Sequence, residues 1–162
     1  MCLSALERLR EGRGERIRGF TLLELLLAVV VMATLATLAI GAYSSYMKQA
    51  RVSRAELDLT AIEARIATYA ATHNDLPTSL AQVGEAALLD PWGHPYRYLD
   101  FTGLHGRGQM RKDRNLVPIN SDYDLYSAGR DGSTLPPLTV PVSHDDVVRA
   151  NDGGFIGMAS DY

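Results

Sequence analysis

The chain has 162 residues, with 16 Lys and Arg against 19 Asp and Glu for a formal charge of −3, and one cysteine, Cys2. This length holds one domain, or one small domain with an extension. The acidic balance beyond the first nineteen residues argues against nucleic-acid binding, and a lone cysteine excludes an intrachain disulfide.

The first nineteen residues carry Arg8, Arg10, Arg13, Arg16 and Arg18 against Glu7, Glu11 and Glu15. Arginine this close to an apolar segment favours keeping that end in the cytoplasm. The apolar segment is residues 20–43, whose one formal charge is Glu24. As a helix, a run of about 24 residues extends roughly 36 Å, enough to cross a hydrocarbon core of about 30 Å. The polar remainder then sits on the far side, which in a bacterial cell is the periplasm. Removal of residues 1–19 would take away five basic and three acidic residues and leave five net negative charges.

Glu24 is the residue that such a segment should reject. A cleaved secretory signal peptide finds small residues at Ala39-Ile40-Gly41, but the apolar run is long for that purpose and Glu24 stands near its start. A plain anchor explains the length and the arginines and leaves Glu24 as a bare cost, softened by the helix dipole. The third reading gives Glu24 a role. The stretch GFTLLE, Gly19 to Glu24, resembles the processing motif of type IV pilins and type II secretion pseudopilins. The resemblance implies that prepilin peptidase, a membrane aspartyl protease, cuts between Gly19 and Phe20 and that the new amine of Phe20 is methylated. Gly19 suits the cut because a residue without a side chain lets a protease approach the backbone. It further implies that Glu24, the fifth mature residue, meets the amine of a neighbouring subunit, so that a charge pair in low dielectric sets the stagger between subunits.

Beyond Tyr43 the pattern turns amphipathic. Val52, Ala55, Leu59, Ile62, Ile66 and Tyr69 recur at alternating spacings of three and four and mark one helical face. A helix laid against its own domain explains that stripe better than a coiled coil, which would need more heptads. Nothing interrupts the helical pattern from Phe20 to Ala71 except Gly41, and the His73-Asn74-Asp75-Leu76-Pro77 stretch ends it. A helix of about 50 residues would be about 75 Å long, unusual outside coiled coils and filaments. By resemblance, Gly41 stands where many family members carry proline, and it would loosen the helix during packing. A short helical or loop segment is expected over residues 79–89, a tight turn at Asp90-Pro91-Trp92-Gly93, and strands over residues 96–101 and 122–127. A glycine- and arginine-rich loop spans residues 103–114, and the part from Gly129 onward offers at most short strands. The expected fold is α+β and pilin-like: a long N-terminal helix, transmembrane in its first half, packed against a small antiparallel sheet. Its parts would be a leader (1–19), a transmembrane segment (20–43) and a periplasmic domain (44–162), whose first part, 44–75, is the amphipathic half of the helix.

The motifs DPWGHPY, Asp90 to Tyr96, and YSAGRDG, Tyr126 to Gly132, in this order behind the N-terminal motif, resemble the G-subunit family of type II secretion, the major pseudopilins. Trp92 is read as part of a buried turn rather than as a ligand platform. The resemblance implies a calcium site in the C-terminal loop, with Asp131, Asp145 and Asp146 as carboxylate ligands and Ala128 and Ser143 giving backbone oxygens. Calcium takes six to eight oxygens of these kinds, and it would staple a small exported domain that has no disulfide. The segment between Asp131 and Ser143 carries Leu135-Pro136-Pro137 and Pro141 and is longer than the family's usual loop; Asp152 is either an outer participant or a turn residue. The implied partners are prepilin peptidase, further copies of the chain in a filament, minor pseudopilins, the inner-membrane assembly platform and the membrane itself, with no nucleic acid. The implied work is to push folded substrates through an outer-membrane secretin.

No catalytic constellation competes with this reading. His73, His94, His105 and His144 form no zinc-binding HExxH pair, residues 103–108 lack the lysine of a phosphate loop, and no GxSxG elbow occurs. Ser143, His144 and Asp145 are consecutive, and adjacent side chains cannot form a relay. The chain is expected to catalyse nothing. The alternatives are a type IV pilin for adhesion or motility and, from another class, a membrane-tethered periplasmic enzyme or binding module.

Overall fold

A computed structural model describes residues 19–162. The expected leader, with Cys2 and the five arginines, lies outside the described residues apart from Gly19. A single long helix, α1 (Leu22–His73), comprises 52 residues and runs through Gly41 without a break. By contact the chain divides into two compact units, one ending at Tyr43 and one spanning Ser44–Tyr162.

In the first unit α1 is long and apolar enough to cross a membrane by length and composition. Its large apolar side chains, among them Leu23, Val30, Leu35 and Leu38, are exposed. The hydroxyls of Thr34 and Thr37 donate to Val31 O and Ala33 O, each at 2.8 Å. Polar side chains in this stretch thus satisfy themselves on their own helix, as lipid requires.

In the second unit the expected stripe faces inward. Ala55, Leu59, Ile62 and Ile66 are 0–1% exposed, Val52 packs at the margin, and the core they join includes Leu80, Tyr96, Tyr123, Leu125 and Val147. Each fully buried large aliphatic side chain contributes about 1.5–3 kcal/mol. Tyr69, the last position of the stripe, is only half-buried and stacks on His73 with ring centroids 4.0 Å apart. α1 ends there because Asn74 turns left-handed (φ 57°), its amide donating to Ala70 O at 2.8 Å. An asparagine cap thus stops the helix three residues before Pro77 could.

Four strands follow: β1 (Arg97–Asp100), β2 (Tyr123–Ser127), β3 (Val147–Ala150) and β4 (Phe155–Met158). They form one antiparallel sheet in the order β1-β2-β3-β4, with Arg97 opposite Tyr126, Tyr126 opposite Val148, and Val147 opposite Met158. β1 and β2 lie inside the two expected strands, and β3 and β4 are the short strands of the Gly-, Pro- and Asp-rich tail. Leu80–Val83 forms a 3-10 turn. The sheet has a second covered face: Ile119, Leu138, Val148, Ala150 and Ala159 make a smaller core, with Tyr126, Phe155 and Tyr162 packed on it. Every residue of β3 is therefore buried.

Arg149, an inward position of β3, ties α1 to the sheet. Its Nε donates to Glu63 at 2.6 Å, Nη1 and Nη2 donate to the Asp122 carboxylate at 2.8 and 2.9 Å, and the guanidinium lies 4.1 Å from the centroid of the Tyr123 ring. Burial works against its charge, yet the hydrogen bonds to Asp122 and Glu63 outweigh burial and raise its pKa above the ordinary arginine value.

Candidate functional site

The start of α1 is built by four residues. Thr21 is the N-cap, and its Oγ1 accepts the amide of Glu24 at 3.2 Å. Glu24 Oε2 reaches back to accept the amide and the hydroxyl of Thr21 at 2.9 and 2.8 Å. This is a capping box, the reciprocal arrangement that T-x-x-E permits. Gly19 and Phe20 precede the helix in irregular, exposed chain, with Phe20 82% exposed. The capping role of Glu24 was not among the sequence expectations, although the Thr21-to-Glu24 spacing is its ordinary signal.

The two motifs of the domain meet in space. Asp90 Oδ1 accepts the amides of Trp92 and His94 at 3.0 and 2.8 Å, and Gly93 closes the turn at φ 95° with its amide on Asp90 O. Asp90 Oδ2 accepts the hydroxyl of Ser127, and His94 Nδ1–H donates to Gly129 O at 3.1 Å. Gly132 lies against the His94 ring, where a Cβ would come within 2.7 Å of Nε2. Trp92 packs half-buried on the main core. The tryptophan turn, buried at Asp90 and half-buried at Trp92, thus brackets the GRDG loop.

The residues expected to hold calcium divide. Asp145 folds under the GRDG turn, where Oδ2 accepts the amides of Arg130 and Asp131 at 2.8 and 3.2 Å, and Gly129 leaves no room for a side chain against Asp145 O. Asp131 is exposed, and its Oδ1 accepts the amide of Ser133. Ala128 is fully buried, and the carbonyl of Ser143 accepts the amide of Asp146 at 3.3 Å. Asp146 points inward instead: its Oδ2 accepts from Arg111 Nη2 and from the Thr134 hydroxyl. Burial pushes its carboxyl up, opposed by the hydrogen bond from Thr134 and by Arg111. Asp146 Oδ1 and Arg111 Nε are buried without hydrogen-bond partners. Among the described residues no three His, Cys, Asp or Glu side chains are placed to hold a metal. The set does not fit the expected cage, and the physical reason is the guanidinium already seated on Asp146. Asp152 also stays apart: it adopts a left-handed turn (φ 55°) and accepts the amide and hydroxyl of Ser121 at 2.6 and 2.8 Å. Neither Arg111 nor Arg149 was legible as a key residue, since one lies in an irregular loop and the other in a four-residue strand.

Known proteins bear on both ends of the chain. Residues 16–40 match the prokaryotic N-terminal methylation motif. The type II secretion system core protein G of Klebsiella pneumoniae is 31% identical over 137 residues, covering 82% of this chain and 94% of that protein. The protein of the same name from Pseudomonas aeruginosa is also 31% identical, over 70% of this chain and 84% of its own. A fimbrial protein of Neisseria meningitidis is 26% identical over 83% of this chain and 80% of its own. No solved structure matches. The likeness to the core G protein of Klebsiella covers most of both chains, and the methylation motif stands at the N-terminal end, so the chain belongs to the family of type II secretion system core protein G, the major pseudopilins.

Proposed function

We propose that the chain is made as a precursor, cut by prepilin peptidase between Gly19 and Phe20, methylated on the Phe20 amine, and stacked into a periplasmic filament. The observation that carries this reading is Glu24. It is the one formal charge in residues 20–43, it lies at the start of a helix apolar enough to span a membrane, and it falls inside the matched methylation motif. In the single chain its carboxylate is occupied by Thr21, a short-range neutral partner. A neighbouring subunit's amine would be a charged and therefore stronger partner, and the exchange would reward one stagger between subunits.

In the same proposal α1 up to Tyr43 anchors the chain in the inner membrane as a single pass, with the N-terminus cytoplasmic and residues 44–162 periplasmic. Prepilin peptidase, the assembly platform, other copies of the chain and minor pseudopilins are its partners. The filament pushes substrates toward the secretin, and the chain's part is structural rather than catalytic. Support comes from the pseudopilin family, from the exposed apolar surface of residues 20–43, which lipid or other helices must cover, and from a fold whose polar groups are spent on holding loops.

Co-expression with a prepilin peptidase, followed by mass spectrometry of the intact chain, tests the processing. The expected product begins at methylated Phe20. A chain that keeps residues 1–19 in the presence of an active peptidase would overturn the proposal.

A further inference from the structure

The loop between Asp131 and Ser143 is closed by an internal cation. Arg111 is 2% exposed and gathers oxygens from three residues at two places in the chain. Nη2 donates to the Asp146 carboxylate, and Nη1 donates to the Thr134 hydroxyl and to Leu135 O, the latter at 2.8 Å. Its plane lies over the Tyr126 ring, 4.3 Å from the centroid. A carboxylate and a backbone carbonyl are among the oxygen types that calcium collects; here a planar guanidinium collects them, and a hydroxyl besides, with directed hydrogen bonds.

The loops are shaped to deliver it. The Arg111 amide donates to Asp124 Oδ2 at 2.6 Å, which pins its backbone to β2. The Lys112 amide donates to Pro136 O at 3.0 Å and the Lys112 carbonyl accepts from Leu138 at 2.9 Å, so residues 111–113 run beside the 131–143 loop. Ser143 closes the loop from the other side: its Oγ accepts the Leu135 amide at 3.0 Å and donates to Leu135 O at 2.9 Å. The remaining carboxylates, Asp131 and Asp145, are held by backbone amides.

We infer that Arg111 stands in for the family's metal: it neutralises Asp146 and staples the C-terminal loop to the sheet, so the folded unit does not depend on a divalent cation. The family resemblance supplies the metal that is replaced, but the test reads only the melting of the chain and is independent of processing and filament growth.

The experiment is thermal unfolding of the full chain in detergent micelles, in chelator and in excess calcium. The wild type should melt at the same temperature in both. Arg111→Met keeps much of the stem and removes the charge, leaving Asp146 buried and unpaired, and should melt about 10 °C lower. The double variant Arg111→Met with Asp146→Leu removes both charges and should recover most of that loss, which a purely steric role for Arg111 would not give. Should Arg111→Met fail to fold, the wild-type comparison and the double variant still decide. A wild type destabilised by chelator and restored by calcium overturns the inference, as does an Arg111→Met chain that melts like the wild type or a double variant no more stable than Arg111→Met.

Discussion

In the unit ending at Tyr43, Glu24 is the one formal charge of residues 20–43 and the large apolar side chains of the helix are exposed. In the unit from Ser44 onward, Arg111 and Arg149 are buried, and each is held by carboxylates of the same chain. The same kinds of group are used to opposite ends. Charge and apolar surface satisfied within the chain make a self-contained fold, since a buried charge is tolerable only when its partner is fixed beside it. Charge and apolar surface left facing outward call for a second molecule, lipid or another subunit. A capping box is a modest resting partner for Glu24, which leaves the carboxylate free to exchange.

The comparison breaks first at Glu24. Glu24→Gln should abolish filament growth, seen by electron microscopy of cells expressing the secretion machinery, while leaving the melting of the domain unchanged; normal filaments would remove the assembly role. Next comes a matched pair of truncations. Leu59→Ala opens a cavity in a fully buried position and should cost about 2–5 kcal/mol, whereas Leu35→Ala, on exposed helix surface, should shift the domain's unfolding by less than about 0.5 kcal/mol. Denaturant unfolding of both variants in micelles checks this, and equal losses would contradict the division. Arg149→Met should cost about 3 kcal/mol, toward the low end for breaking a buried pair, because Glu63 and Asp122 are partly exposed and regain water.

The smallest effect concerns pH. The amide of Ser121 holds the Asp152 carboxyl below the ordinary aspartate value. A lowered folded-state pKa contributes stability above the unfolded value of about 3.9 and loses it as pH falls through the folded value. Asp152→Asn should therefore be slightly less stable at neutral pH, and its deficit should shrink below about pH 4. A deficit independent of pH would mean that Asp152 acts through turn geometry alone.

Much of this architecture was written in local patterns. The stripe from Ala55 to Ile66 predicts which face of α1 is buried, because helical period and apolar spacing are set by neighbours a few residues apart. The Asp90-Pro91-Trp92-Gly93 turn and the N-terminal motif are legible for the same reason. The exact stop at Asn74 was less so, since a single left-handed asparagine outranked the proline behind it. The calcium expectation departs from the structure for a different reason. That expectation reads residue type and order, but the donor that Asp146 meets, Arg111, lies in a loop 35 residues upstream, and no local pattern announces that.

By itself, then, the amino-acid order determined the long helix, its membrane-compatible first half, the one buried face of its second half, the processing motif and the family. These rest on period, composition and short motifs, which are local properties. Only the tertiary structure decided that the tryptophan turn brackets the GRDG loop, that a second small core covers the far face of the sheet, and that Arg111 rather than a cluster of acids governs Asp146. Those outcomes depend on which distant groups reach the same buried point, where an unpaired charge costs most and the first well-placed partner wins.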